Sequence, residues 1–268
     1  MIIIKTDSDI KGIEKASRVV AEVLDVVVPE NVSPGMSTYE LNEIIDRYIR
    51  RRGGIPTFLG YQGFPAAACI SINEEIVHGI PKKRKKIRKG DLLKVDVGVT
   101  IGGYIGDAAR TYAIGDVSET ARRLMKATFE SLYAGIEAAR VGNRVSDISL
   151  AVENVIKKYG FYAVRALAGH GVGIKLHEDP SVPNYFDPNW HGPRLKHGMT
   201  IAIEPMVNVG TWRVYTKKDG WTVVSADRSL SAHYEHTIAI TKDGPMILSV
   251  LEDAKPKLEH YFLSLIHI

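Results

Sequence analysis

The sequence predicts an α+β fold, with helices covering one face of a largely antiparallel sheet. Two observations carry this. Segments of helical apolar spacing come in pairs, one pair before residue 55 and one between about 118 and 159. Strand-like runs lie between and after the pairs, without the strict strand–helix alternation of a parallel sheet. The order of helix pair, strands, helix pair, strands suggests two similar halves.

The first helix is expected over 7–27, where Ile10, Ile13, Val19, Val20, Val23 and Leu24 recur at helical spacing. Ser37 with Glu40 forms a capping box for the second. Its stripe is Leu41, Ile44, Ile45 and Ile49, and Gly53–Gly54 end it. Further helices are expected at about 118–140 and 147–159, the latter stopped by Gly160. Strands are expected at 66–72, 92–99, 104–114, 199–207, 233–241 and 246–251.

With 45% hydrophobic and 25% charged residues over 268 positions, the composition is that of a globular protein. No Pro/Gly/Ser-rich linker divides it, so one domain is expected over 1–251, followed by a tail at 252–268. The last residues, LSLIHI, have no evident partner and resemble translated adaptor sequence. The start, MIIIKTDSDI, is no secretory or transit signal, and no window reaches the ~20 apolar residues of a membrane span. The single cysteine, Cys69, excludes an intramolecular disulfide and fits a reducing compartment. A cytoplasmic monomer is expected. The net charge of +4 does not by itself argue for nucleic acid.

The chemistry begins in DLLKVDVGVTIGGYIGDAARTYAI at 91–114. Two strand runs flank Gly102–Gly103, which can supply the positive φ of a tight turn. A loop centred between Ile101 and Gly102 would set Asp96 directly opposite Asp107, with Cβ atoms ~5 Å apart. Two such carboxylates repel one another and call for a positive partner. On the hairpin alone that partner is a metal ion, Arg110 or Lys94, unless one acid faces solvent at a frayed hairpin end. Three further signals favour metal. GHGVGIKLHEDP at 169–180 sets His170 between glycines, with His177 seven residues on. MTIAIEPMV at 199–207 is an apolar strand interrupted by Glu204, and HYEHTIAI at 233–240 sets Glu235 before another. Asp96, Asp107, Glu204 and Glu235 carry four negative charges, which two divalent ions would neutralise, with His170 as a neutral fifth ligand. Such a set suits manganese, iron(II) or cobalt better than a structural zinc.

The motifs CISINEEIVHGIP at 69–81, VDVG and GDAARTY within 95–112, GHGVG and LHEDP within 169–180, AIEPMV at 202–207, and DGWTVV and SAHYEHT within 219–237 together resemble the type I methionine aminopeptidases. The resemblance runs from about residue 3 to about 250. It implies the pita-bread (creatinase/aminopeptidase) fold shared with prolidase and aminopeptidase P, two pseudo-symmetric halves with a metal pair on the concave face of a curved antiparallel sheet. It implies Asp96, Asp107, His170, Glu204 and Glu235 as ligands of two divalent ions, with zinc and nickel as options beside those above. His78 and His177 would contact substrate, and Tyr61, Phe64, Cys69, Leu176 and Trp221 would line a methionine pocket. Phe64 stands where a tyrosine is usual and Leu176 where phenylalanine is frequent.

The implied activity is removal of the N-terminal methionine of nascent proteins, favouring small second residues. A hydroxide held between the ions would attack the scissile carbonyl, Glu204 would shuttle the proton, and His177 would donate to the oxyanion. Only 33 residues separate His170 from Glu204, which leaves no room for the type II insertion, and no Cys/His-rich extension precedes the core. Prolidases and aminopeptidase P carry an additional N-terminal domain that a 268-residue chain lacks, which together with the pocket motifs leaves a dipeptidase or proline-specific peptidase on this fold as the runner-up only. A non-catalytic binder of this fold would lack ligands that are all filled here. One feature stands apart: KKRKKIRK at 82–89 is seven-eighths basic. It is either a solvated loop or a weak, salt-sensitive contact to ribosomal RNA phosphates through Lys82–Lys89.

Overall fold

Capping chemistry starts the helices where the sequence places it. Thr6 and Asp9 close a capping box ahead of the helix Asp7–Glu22, and Ser37 and Glu40 do so for Thr38–Arg51. The structure, a computed structural model, describes residues 1–251; the tail expected at 252–268 and its LSLIHI end lie outside the described residues. The first helical stretch runs past 27 to Asn31. It passes through a π-helical turn at Val23–Val27, just before Pro29, whose ring cannot make the ordinary i→i−4 bond. The second pair comprises Glu119–Ala138, capped by Ser118, and Val145–Lys158.

All strand pairing is antiparallel. In the first half, the long strand Leu92–Ile101 pairs with Tyr104–Ala113 along one edge and with Ile55–Pro56 and Cys69–Ile72 along the other. In the second half, a five-stranded sheet runs in the order Gly244–Ile247, His236–Thr241, Thr200–Ile203, Ala168–Gly171, Glu178–Pro183. Two three-stranded sheets join these, one around Met206–Asn208 and one around Val223–Ser225. The first helix packs on the long hairpin and the second helix pair on the later strands, around one large apolar core. The α+β class and paired-helix order follow the sequence. Four expected strands do not: 199–207 is interrupted at Glu204–Pro205 and 233–241 at Tyr234–Glu235, while 66–72 begins only at Cys69 and 246–251 ends at Ile247. Both interruptions fall at acids. Among the described residues no helix is long and apolar enough to cross a membrane.

Candidate metal centre

The long hairpin turns on Gly102 and Gly103, with φ of 59° and 84°. A two-residue turn with both φ positive suits glycine alone without cost, so the turn centres on the glycine pair, not one residue earlier as the sequence suggested. Asp96 therefore faces Ala109 and Gly98 faces Asp107. The acids are diagonal neighbours rather than directly opposed. Because the shift changes the register by two, strand parity is preserved and both still share a face. The diagonal spacing of ~7–8 Å also leaves more room between them than direct opposition would.

In the second half, Ile203 pairs with His236 and Met206 with His233. Glu204 and Glu235 thus lie opposite one another in the unpaired step between two ladders. The halves are laced together here. Glu235 N–H donates to Ala109 O at 3.0 Å, and Asp107 N–H donates to Thr237 Oγ1 at 3.1 Å, whose hydroxyl donates back to Asp107 O at 2.7 Å.

His170 sits on the strand Ala168–Gly171 between two glycines that must be glycines. A Cβ on Gly169 would lie 2.4 Å from Ala202 O, and one on Gly171 would lie 2.3 Å from Asp179 O. The glycines let neighbouring backbone, rather than a ligand, come close. His170 Nδ1 lies 2.9 Å from Gly171 O, a pure acceptor, so Nδ1 carries the proton and Nε2 keeps its lone pair. That Nε2 lies 3.5 Å from Glu204 Oε1 and 3.9 Å from Asp107 Oδ2. A neutral histidine held this way by a backbone carbonyl is set up to ligate a metal.

The electrostatics ask for cations. Asp96, Asp107, Glu204 and Glu235 all have their carboxyl pKa pushed up, first by burial; for Asp96, Glu204 and Glu235 neighbouring carboxylates add to it. Asp96 Oδ1, Asp107 Oδ1 and Glu235 Oε1 are buried without a hydrogen-bond partner. Arg110 acts on the Glu235 carboxyl only through its charge, more weakly than burial or the neighbouring carboxylates, and neither alternative cation pairs with the four acids among the described residues. Lys94 donates to the carbonyls of Asn73, Leu92 and Ser231, while Arg110 donates to the carbonyls of Ala109, Glu235 and Ser249 and pairs with Asp25. Among the described residues no lysine or arginine forms an ion pair with the four acids. Donor atoms of Asp107, His170 and Glu235 lie within 4.8 Å of one another, as do those of Glu204, His233 and Glu235. Asp96 belongs to neither trio but lines the same cavity. Buried oxygens with no partner, in two overlapping clusters, fit a pair of divalent cations.

A cavity of about 390 Å³ opens over these groups. Every residue the resemblance assigned to substrate lines it: Tyr61, Phe64, Cys69, His78, Leu176, His177 and Trp221. Cys69 pairs directly with Asp96, and burial pushes its thiol pKa up. Phe64 meets Trp221 edge-on at 5.1 Å. His78 has a left-handed backbone with φ of 57°, and burial lowers its imidazole pKa to about 4. Tyr61 Oη lies 2.8 Å from His177 Nδ1, and the rings of His170 and His177 meet edge-on at 4.3 Å. Glu178 holds the loop that carries Leu176 and His177. Its Oε1 accepts the N–H groups of Ile174 and Lys175 at 2.7 and 2.9 Å, and its other oxygen pairs with the buried Lys5.

Sequence reasoning missed Phe58, Leu167 and Met206 on the cavity wall and His233 beneath it. His233 could have been found, since it stands two residues before Glu235 on a strand of period two. Phe58, Leu167 and Met206 read as ordinary core. The basic run is no free loop. Ile87 is buried, Lys85 pairs with Glu75 and donates to Ile70 O, and Lys82 and Lys86 pair with Asp219 and Glu40. Lys82, Lys83, Arg84, Lys86, Arg88 and Lys89 are exposed.

Residues 11–242 match the metallopeptidase family M24. The chain is 48% identical to the methionine aminopeptidase of Clostridium acetobutylicum, over 94% of this chain and all of that one. It is 49% identical to that of Aquifex aeolicus, over 91% and 96% respectively. The crystal structure of methionine aminopeptidase from Thermotoga maritima superposes with a TM-score of 0.91 at 43% identity, covering 94% of this chain and all of that one. Prolidase from Pyrococcus furiosus has a TM-score of 0.75 at 25% identity, with 93% of this chain but 66% of that one covered. With the buried acids, the facing histidine and these relatives in agreement, the chain belongs to the methionine aminopeptidases of metallopeptidase family M24, in their type I short form.

Proposed function

We propose that this chain removes the N-terminal methionine of nascent polypeptides, using two divalent ions held by Asp96, Asp107, His170, Glu204 and Glu235. One observation carries the reading: Asp96, Asp107 and Glu235, buried, and Glu204, partly buried, none of them ion-paired with a lysine or arginine among the described residues, line one cavity together with the apolar side chains of Phe64, Leu176 and Trp221. When bound, such ions supply a nucleophile at neutral pH and polarise the scissile carbonyl. Manganese, iron(II) and cobalt suit the oxygen-rich donor set, with zinc and nickel next.

The chain's own residues do the rest. Glu204 turns Oε1 toward His170 and the ion site, and its carboxylate would take a proton there and pass it to the leaving amine. Tyr61 Oη lies 2.8 Å from His177 Nδ1, and with the tyrosine hydroxyl as donor the His177 proton would stand on Nε2, facing the developing oxyanion. His78, kept neutral by burial, faces the substrate beside Trp221. Phe64, Leu176, Cys69 and Trp221 give the thioether a dry, polarisable wall. A narrow space beyond the scissile bond would favour small second residues.

The test is hydrolysis of Met-Ala-Ser, Met-Leu-Ser and Met-Pro-Ser peptides by apoprotein reloaded with each metal in turn. Metal-dependent release of methionine, fastest from Met-Ala-Ser, supports the reading. Cleavage of Xaa-Pro dipeptides without methionine preference would replace it with the proline-specific activity.

A cytoplasmic monomer acting where chains emerge fits this role. The exposed part of the basic run, with Lys85 excluded because it is held inside, would touch ribosomal phosphates weakly. Co-sedimentation with ribosomes at low salt, lost when Lys82, Lys83, Arg84 and Lys86 become Ser, would support the contact. Unchanged co-sedimentation would leave the run a solvated surface.

A further inference from the structure

Two imidazoles flank Glu204, one at each carboxylate oxygen. His170 Nε2 lies 3.5 Å from Oε1, and His233 Nε2 lies 3.5 Å from Oε2. They are placed differently. His170 lines the cavity beside Glu204, whereas His233 does not reach the cavity and is 1% exposed. His233 therefore stands behind the carboxylate, on the side away from substrate. Its Nε2 is buried with no hydrogen-bond partner. At 3.5 Å the approach is longer than a formed hydrogen bond, a spacing that tightens when a site is filled.

The backbone of His233 is fixed from both sides by a single hydroxyl. Its N–H donates to Thr111 Oγ1 at 2.9 Å, and that hydroxyl donates to His233 O at 2.7 Å. Met206, two residues beyond Glu204, pairs with it across the ladder. The imidazole is thus held on a rigid element, aimed at the one carboxylate that is asked both to bind an ion and to move a proton. Once bound ions favour its charged form, the Glu204 carboxylate only accepts, and the group facing Oε2 would then have to donate.

We infer that His233 is a positioning residue for Glu204: its Nε2–H closes on Oε2 and fixes the carboxylate so that Oε1 faces His170 and the ion site. The inference rests on the dinuclear aminopeptidase reading. It assigns His233 a place behind a ligand rather than a place as a ligand, although its Nε2 also falls within the trio it forms with Glu204 and Glu235. Outer-shell partners of this kind are worth about 10–100-fold in metal affinity or activity.

The experiment compares wild type with His233→Leu, which keeps bulk but loses the donor, and His233→Gln, whose amide can still reach. Each is purified as apoprotein, checked by thermal melting, titrated with Mn(II) by calorimetry, and assayed on Met-Ala-Ser. The expected result is a kcat about 10–100-fold lower in the Leu variant with KM within about threefold, two ions still bound but more weakly, and recovery to within about threefold in the Gln variant. If the Leu variant fails to fold, a Gln variant with wild-type kcat and Mn(II) affinity still supports the inference, and one with Leu-like deficits of about 10-fold or more overturns it. Wild-type kcat and metal affinity in the folded Leu variant would overturn the role. Loss of one bound ion in both variants would make His233 a ligand and overturn it equally. A wild type inactive with every metal would instead remove the aminopeptidase reading, and this inference with it.

Discussion

The hairpin of Leu92–Ile101 and Tyr104–Ala113 carries Asp96 and Asp107 on an unbroken ladder, whereas the second half presents Glu204 and Glu235 where both of its strands are interrupted. On the unbroken ladder, strand parity alone decides which face an acid takes. That is robust, since moving the turn by one residue shifted the pairing but not the face. In the second half Pro205 and Tyr234 occupy the gap beside the acids, and two short ladders continue one register on either side. There the acids are placed by the change of sheet, not by alternation. The halves nevertheless converge, because each hands the other a threonine. Thr237 brackets the backbone of Asp107 with two hydrogen bonds, and Thr111 brackets that of His233 with two more.

The largest expected effect asks whether the two halves contribute equally. Asp107→Ala removes an acid from the unbroken ladder and Glu235→Ala one from the broken step. Both lie in clusters with His170 or Glu204, so each should lower kcat/KM by about 1,000-fold or more, a loss of about 4 kcal/mol, while circular dichroism stays native. Elemental analysis should show metal lost from both. Near-normal turnover in either variant, with metal supplied, would break the equivalence and the two-ion assignment together.

The first half was more legible in the sequence than the second, for physical reasons. Asp96 and Asp107 stand out because alternation puts charge where a sheet should be apolar; in the second half the glycines around His170 mark a close-packed strand, but Glu204 and Glu235 are harder to place. The alternation rule could not see that Glu204 and Glu235 stop their strands, since Met206, Val207 and Ile203 continue the apolar pattern across the gap. The Lys5–Glu178 pair that steadies the His177 loop joins positions 173 residues apart, beyond any local pattern. The basic run misled for a related reason. Composition shows its charge, but not that Ile87 is core and Lys85 is spoken for by Glu75.

An intermediate effect concerns pH. In the metal-free protein the four site acids have pKa values raised by burial, that of Asp107 to about 7. A carboxyl whose folded pKa lies above its unfolded value binds more protons folded than unfolded across the interval between them. The stability it lends is therefore complete below the unfolded value, near 4, and is lost as pH rises through the folded one. The unfolding free energy of apoprotein, from urea titrations, should fall between about pH 4 and pH 7, by more than about 1.4 kcal/mol in total, the worth of one pKa unit. With Mn(II) in excess the fall should vanish, since the ions then favour the charged forms. A flat apo profile would mean that another cation already balances the acids.

The smallest effect tests the exchanged threonines, and it separates the halves most finely. Thr111→Val and Thr237→Val are close in shape, so each removes two hydrogen bonds with little change in packing. What remains is a buried N–H and a buried carbonyl deprived of their hydroxyl partner, at His233 in one variant and at Asp107 in the other. Leaving a buried group unsatisfied costs about 1–3 kcal/mol, so both should lower stability by that order in urea titrations. Their functional consequences should differ. Asp107 lies in a ladder ten residues long, whose remaining pairs hold its backbone in register, so Thr237→Val should change kcat less than about threefold. His233 ends a strand of three, with the interrupted step immediately beyond, so among the described residues its backbone depends on Thr111 and the Met206 pairing more than Asp107 depends on Thr237. Thr111→Val should therefore lower kcat about tenfold, with KM little changed, by loosening the imidazole behind Glu204. Equal losses in the two variants would show that the broken step is as rigid as the unbroken ladder, and that continuity of the strand is not what secures the first pair of acids.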